Sequence, residues 1–485
     1  MKSYPPNSPA ALGVLTSQPI RAVACMVALA ALAQYLPGLA RWKLLGHVRQ
    51  PPPTSMRKTT PTKAVVGEAA LTEESNGDLS TLRTGALRGP ARAGVIAATE
   101  SEPVSAELVD SKPPPVHLED PDNRGMAHFY DALKRTSRHE ARGITRVVHF
   151  GDSLIASDYV SGTLRRLLQK QFGDSGHGFS LVANAWPSYF HEGVSRYATS
   201  GWLVSRVVGP YAQDGWYGLG GVSFRAPPNI LARIGTSARG DFGRQVSKFE
   251  LAYVASPSGG ALRVRIDEKS VGDLSTQSEE KTFKTAKWAV ADGPHEIEFL
   301  TTRGTSRLFG VVMERDVPGV VLDAIGIQGA RLRFLDQQDD AHYSAQLRWR
   351  NPDLVIYEFG ANESADGLAY SMHDFHETMK NVLLQQRTAL PESSCLVIGA
   401  MDRATRNGDT LTSSSFIPLL IAEQRAVAKE VDCAFFDTYQ AMGGLGAMPR
   451  WVRRGLGQAD LTHPTAVGAD IIGTWIYRAV MERWH

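Results

Sequence analysis

The sequence predicts an α/β protein: a three-layer α/β/α doubly wound parallel sheet carrying an inserted antiparallel β-sandwich module. Three observations predict it. Short apolar runs alternate with amphipathic helical stretches in residues 116–190 and again in 321–485, the grammar of parallel strands joined by right-handed crossovers. Between them, residues 191–320 show mostly period-two patterns broken by Gly, Ser, Pro and Asp, the signature of antiparallel strands. Polar residues suited to one kind of chemistry follow the apolar runs, where such sheets place their ligands.

Taken in order, residues 1–40 contain "AVACMVALAALAQYLPGLA", long enough to cross a bilayer, with only Lys2 and Arg21 as positive charges ahead of or within it. The segment reads as a signal peptide or an uncleaved anchor, with anchoring favoured, so an exported protein of the cell envelope or periplasm is expected. Cys25 lies near the start of the apolar run, not at its end, which argues against lipoprotein cleavage. Residues 41–115, with "PPPTS" and "KPPP", form a Pro-rich linker without periodicity.

Ordered sequence follows. "MAHFYDAL" sets Met126, Phe129, Tyr130 and Leu133 on one helical face, and "TRVVHF" is a buried strand. After a Gly-Asp-Ser turn, Val160, Leu164, Leu167, Leu168 and Phe172 form a second stripe that Gly173 ends. "KFELAYV", "ALRVRID", "HEIEFL" and "LFGVVMER" supply the inserted β unit. The parallel strands resume with "VVLDAIGI", "DLVIYEF", "CLVIGA" and "CAFFDT", separated by helices, and "AVGADIIGTWIYRAVMERW" closes the chain as a helix. Five parallel strands result.

Composition narrows the function. Among 485 residues, 52 basic ones nearly balance 50 acidic ones, so no nucleic-acid partner is expected. The three cysteines, Cys25, Cys395 and Cys433, form no CxxC pair. Neither a zinc site nor a disulfide framework is suggested, and Cys395 and Cys433 read as small buried hydrophobes. No cofactor or metal is expected.

The strand ends carry a complete set for acyl transfer. Gly151-Asp152-Ser153 follows the first strand, Gly329 in "GIQGA" the second and Asn362 in "FGANES" the third, while Asp460 and His463 in "DLTHPT" precede the last helix. Ester hydrolysis needs a nucleophile, a base, a group that orients the base, and donors for the oxyanion. Ser153, His463 and Asp460 fill the first three roles. The N–H groups of Ser153 and Gly329 and the Asn362 amide fill the last.

These four fragments, in this order, resemble the SGNH or GDSL hydrolase superfamily. The resemblance covers roughly residues 120–190 and 320–485, and implies a metal-free serine esterase or acyl transferase with a shallow, accessible site. Ser153 and Gly329 stand 176 positions apart, where plain members of the family have a few tens. An SGNH domain interrupted by a carbohydrate-binding-like β-sandwich is similar to bacterial peptidoglycan O-acetylesterases, although Leu154 stands where that group often has histidine. The resemblance implies an O-acetylated polysaccharide substrate, with a polysaccharide O-acetyltransferase and a non-catalytic tethered glycan-binding protein as alternatives. It says nothing of oligomeric state.

Blander roles exist for each residue. Ser153 could cap a helix, a job Asp158 would do better, and Asp152 is read as shaping the turn. Gly329 could serve only a positive φ, and Asn362 is also part of an Asn-Glu-Ser sequon. His149, His177, His373 and His376 are read as structural or surface residues. Trp186, Tyr189, Phe190, Trp202, Tyr211, Trp216 and Tyr217 are read as core, with a glycan groove as the alternative. Arg403 and Arg406 either line the site's rim, facing an anionic polymer, or are solvated.

Overall fold

The structure, a computed structural model, describes residues 117–485 apart from 142, 239–241 and 485. The apolar N-terminal segment, Cys25 and the Pro-rich stretch to 115 lie outside the described residues.

Among the described residues, the main elements of the parallel domain are α1 (Ala127–Ser137), β1 (Ile144–Gly151), α2 (Tyr159–Phe172), β2 (Gly319–Gly326), α3 (Asp340–Arg350), β3 (Leu354–Glu358), α4 (Met372–Ala389), β4 (Ser394–Ile398), α5 (Phe416–Glu430), β5 (Ala434–Phe436) and α6 (Ala466–Met481). The five strands are parallel in the order β2-β1-β3-β4-β5, so the chain reverses direction across the sheet between β1 and β3. Doubly wound sheets bind ligands at such a switch point.

Alternate side chains feed two cores. Val147, Leu322, Ile356 and Leu396 pack with Phe129 of α1, Leu164 of α2 and Ile472 of α6. Val148, Phe150, Val355 and Val397 face the other way, toward Tyr343 of α3, Phe375 of α4 and Leu420 of α5. This gives the three layers, because a strand's side chains alternate between faces.

Residues between β1 and β2 add two antiparallel sheets. One runs in the order Thr282–Gly293, Val246–Ala255, Ser306–Glu314, Val222–Ala226, Leu203–Arg206; the other Val194–Ala198, Leu231–Thr236, Glu296–Arg303, Ala261–Ile266, Lys269–Ser275. Phe249, Leu251 and Val311 of the first share a core with Ile234, Ile297 and Phe299 of the second, as in a sandwich. The segment Gly176–Leu181 also pairs with Ser306–Glu314, so the antiparallel sheet begins directly after α2.

A buried ion network ties this module to the parallel domain. Glu314, 1% exposed, accepts two hydrogen bonds from Arg146 of β1 at 3.0 Å, one from Arg350 of α3 at 3.0 Å and one from Lys248 at 2.8 Å. Arg350 also grips Asp323 of β2 with two donors at 2.6 and 3.0 Å. Burial alone would raise the Glu314 pKa, but Arg350, Arg146 and Lys248 hold it well below the ordinary value.

The reading of Cys395 and Cys433 as independent buried hydrophobes is corrected: both are buried, and they form a disulfide. Leu396 of β4 pairs in register with Ala434 of β5, so the residue before each is also adjacent, with Cα atoms 4.7 Å apart. That separation suits a disulfide.

Candidate active site

The C-terminal ends of β1, β2 and β3 are level: Gly151 lies opposite Gly326 on one side and Glu358 on the other. The segments that follow therefore emerge at one edge. After β1 the chain makes a single helical turn, Ser153–Ala156, capped by the Asp152 carboxylate, which accepts from the Leu154 N–H at 3.0 Å. Asp152, not Ser153, is thus the cap. Gly326 lets this turn settle on β2, since a Cβ there would lie 1.8 Å from the Ala156 nitrogen.

Asp158 does not cap by its side chain either. It occupies the N-cap position of α2 with φ 53°, and its carboxylate instead binds buried Arg165 at 2.5 and 3.3 Å and the Glu192 N–H at 2.7 Å. An arginine in the same helix offers a stronger, charge-assisted partner than a helix-end amide.

Ser153 meets His463 across 310 residues: its Oγ lies 2.7 Å from His463 Nε2. His463 Nδ1 lies 2.7 Å from Asp460 Oδ2. Asp460 Oδ1 accepts from the N–H groups of Thr462 and His463, both at 3.0 Å. Burial pulls the Asp460 pKa upward, but the hydrogen bonds from the His463 ring and from these two amides outweigh it and hold the carboxyl at about 2. An ionised Asp460 can only accept, so Nδ1 carries the proton and Nε2 presents its lone pair to the Ser153 hydroxyl. The His463 pKa is raised, first by its hydrogen bond to Asp460, against burial, and further by the charges of Asp460 and Asp152.

The loop holding these residues is shaped locally. Leu461 adopts φ 59°, a left-handed turn that brings the His463 N–H back onto Asp460, a conformation that costs a branched residue energy. The Ala404 N–H donates to the Leu461 carbonyl at 2.9 Å and Gln458 N–H to the His463 carbonyl at 2.8 Å, fixing the turn. Thr465 caps α6, its hydroxyl accepting from Gly468 N–H at 3.2 Å.

Gly329 stands exposed after β2 with φ 79° and open space where a side chain would project. Asn362 follows β3, and its Nδ2 donates to the Ala330 carbonyl at 2.8 Å, leaving the second amide hydrogen for another acceptor. All five sequence-derived positions thus lie on segments that leave this sheet edge or close onto it, and direct contacts join Ser153 to His463 and His463 to Asp460. A small open cleft lies beside His463, lined by Asp152, Glu358, Ala361, Met401 and Thr462 among others.

No protein-family model and no curated protein matches the sequence. Among solved structures, one described as "Peptidoglycan O-acetylesterase in action" superposes with a TM-score of 0.63 at 22% identity, over 75% of this chain and 98% of that one. The fold is SGNH-hydrolase-like. Two other similar structures are a family two carbohydrate esterase from Clostridium thermocellum (11% identity, 58% of this chain and 98% of that one, TM-score 0.26) and a lipase/acylhydrolase from Enterococcus faecalis (20% identity, 34% and 77%, TM-score 0.25).

The SGNH-like frame also places residues whose partners the sequence hid. His149, on β1 and fully buried, lies 3.1 Å from Glu358 of β3 and 3.0 Å from Ser161 of α2. His376 contacts Glu423 at 2.5 Å and Glu430 at 3.0 Å on the outer helices. These pairs cross between elements, so no local motif announces them. Trp186, Tyr189 and Tyr217 are buried, Phe190, Trp202 and Trp216 are partly so, and Tyr211 is exposed, which makes the aromatic cluster mainly core. Arg403 turns inward, donating to the Ala361 carbonyl at 3.1 Å and to Ser364 Oγ at 3.2 Å. Arg406 is exposed on the hairpin Ala404–Asn407/Thr410–Ser413.

Proposed function

We propose that this protein is a serine esterase that removes O-acetyl groups from a cell-envelope polysaccharide, with peptidoglycan the leading substrate. The single observation that carries the reading is the relay at the switch point, Ser153 Oγ to His463 Nε2 and His463 Nδ1 to Asp460, each contact 2.7 Å. Fold kinship with a structure described as a peptidoglycan O-acetylesterase supports the choice of substrate class.

In the first step Ser153 Oγ bonds to the acetyl carbonyl carbon while His463 Nε2 takes the hydroxyl proton. The carbonyl oxygen becomes an oxyanion, received by the N–H groups of Ser153 and Gly329 and the free amide hydrogen of Asn362. Collapse breaks the ester bond, and the imidazolium returns its proton to the departing sugar oxygen. Water then attacks the acetyl-Ser153 carbonyl with His463 again as base, releasing acetate and restoring the hydroxyl.

The proposal places the protein in the cell envelope, exported and anchored, and two observations support that reading. The N-terminal apolar segment fits export and anchoring, and the Cys395–Cys433 disulfide fits an oxidising compartment. The test is acetate release from O-acetylated peptidoglycan and from a small aryl acetate, by wild-type protein and Ser153→Ala. Loss of release from both substrates in the variant is expected, and undiminished release would overturn the proposal.

A further inference from the structure

The residue after Asn362 is a glutamate with no exposed surface. Glu363 begins the turn Glu363–Ala369 and is 0% exposed. Its Oε1 accepts from the Leu332 N–H at 2.8 Å, while Oε2 has no hydrogen-bond partner among the described residues. Leu332 lies three positions beyond Gly329. One side chain thus spans from the segment bearing Asn362 to the segment bearing Gly329.

Two further links lie beside it: Asn362 Nδ2 to the Ala330 carbonyl at 2.8 Å, and Arg331 Nε to the Asn362 carbonyl at 3.1 Å. On the other flank, buried Asp152 caps the Ser153 turn, and the nearby Ala361 amide favours its ionised form. The Asn362–Glu363 stretch is therefore tied to the Ala330–Leu332 stretch by three hydrogen bonds, one of them to a buried carboxyl. A carboxyl is a costly tie, because burying it sacrifices hydration that one amide hydrogen bond does not restore. A cheap surface loop would not need it.

Resting on the esterase reading, we infer that Glu363 is a positioning residue, setting the spacing between the loops that carry Gly329 and Asn362 so that their donors converge on one oxyanion. It touches no reacting atom. Displacing catalytic groups by about 1 Å can cost 10²-fold in rate, and the loss falls on the transition state, hence on kcat rather than KM.

Charge state matters to this role. Burial, against the Leu332 amide, pushes the Glu363 pKa up to about 7, with the Asp152 charge adding to the rise and Arg331 opposing it. Asp152 after β1, Arg331 after β2 and Tyr370 at the end of its own turn are the ionisable groups that interact with it. Below about 7 the side chain is neutral. Above that it is a buried carboxylate beside a site that must accept negative charge, and turnover falls.

The test uses full-length Glu363→Ala and Glu363→Gln, with an aryl acetate substrate and thermal melts confirming that each is folded at the assay temperature. Glu363→Ala is expected to lose about 10²-fold in kcat with KM little changed. Glu363→Gln keeps an acceptor for Leu332 and cannot ionise, so near-wild-type kcat at pH 6 and no alkaline decline are expected. Folded Glu363→Ala with wild-type kcat, or Glu363→Gln as impaired as Ala, overturns the inference. Should Glu363→Ala not fold, the Gln profile decides: an alkaline decline equal to wild type's also overturns it. Ser153→Ala assayed alongside separates the claims, since its full activity would remove the esterase reading itself, whereas normal Glu363 variants beside an inactive Ser153→Ala remove only this one.

Discussion

His463 sets the pH behaviour expected of the proposed site. Its pKa is raised chiefly by the hydrogen bond to Asp460, and a base must be neutral to accept the Ser153 proton. Activity should therefore fall as pH drops through a value above the ordinary histidine pKa of about 6.5. Asp460→Asn removes the interaction that raises it, so the acid limb should move to lower pH while kcat drops by about 10³–10⁴-fold through loss of the correct tautomer. A pH–rate profile measures both, and an unshifted limb would contradict the assignment of His463 as the base. Asn362→Ala should cost roughly 10²–10³-fold in kcat if its amide serves the oxyanion. These positions were legible because each sits in a short contiguous block. Glu363 was not, since a glutamate in a polar loop reads as solvated and nothing local reveals that Leu332 comes to meet it.

Elements were legible to differing degrees. β1 to β5 announce themselves as apolar runs because both faces of a parallel sheet are buried, and α1, α2 and α4 show clear stripes. Leu167, placed on the α2 stripe by spacing, is only partly buried, while Ser161, Thr163 and Arg165 are buried and hydrogen-bonded to His149, Asp470 and Asp158. The segment Gly176–Leu181 has too many glycines and polar residues to read as a strand, and gains its identity from pairing with Ser306–Glu314. The disulfide was hidden for a related reason: Cys395 and Cys433 are 38 positions apart and meet only through the β4–β5 register. Denatured, unreduced protein should titrate at most one thiol per chain, and reduced protein three; three without reductant would contradict the pairing. Replacing both cysteines by alanine should lower stability by about 4 kcal/mol on the loop-closure model, read as a fall in the unfolding midpoint.

At the scale of the whole molecule, the inserted module and the parallel domain share the core around Val148 and Phe249 and the ion network around Glu314. The sequence showed that a β unit interrupts the α/β pattern, yet not that Glu314, Arg146, Arg350 and Asp323 would converge from four elements. Glu314→Ala leaves two arginines and a lysine without their shared acceptor, and should destabilise the fold by about 3–5 kcal/mol. Because the Glu314 pKa is held below its ordinary 4.5, its contribution is present above that pH and is lost as pH falls below it. Wild-type calorimetry should show the two units melting together; a separate early transition for the module would contradict the shared core. The direct test of the serine relay is labelling with an organophosphonate ester, which bonds to an activated serine as the acetyl carbonyl would. Expected is one phosphonyl group per chain, located by mass spectrometry on Ser153, with esterase activity lost in proportion. Turnover that survives complete labelling of Ser153, or loss of activity with the label on another residue, would contradict it.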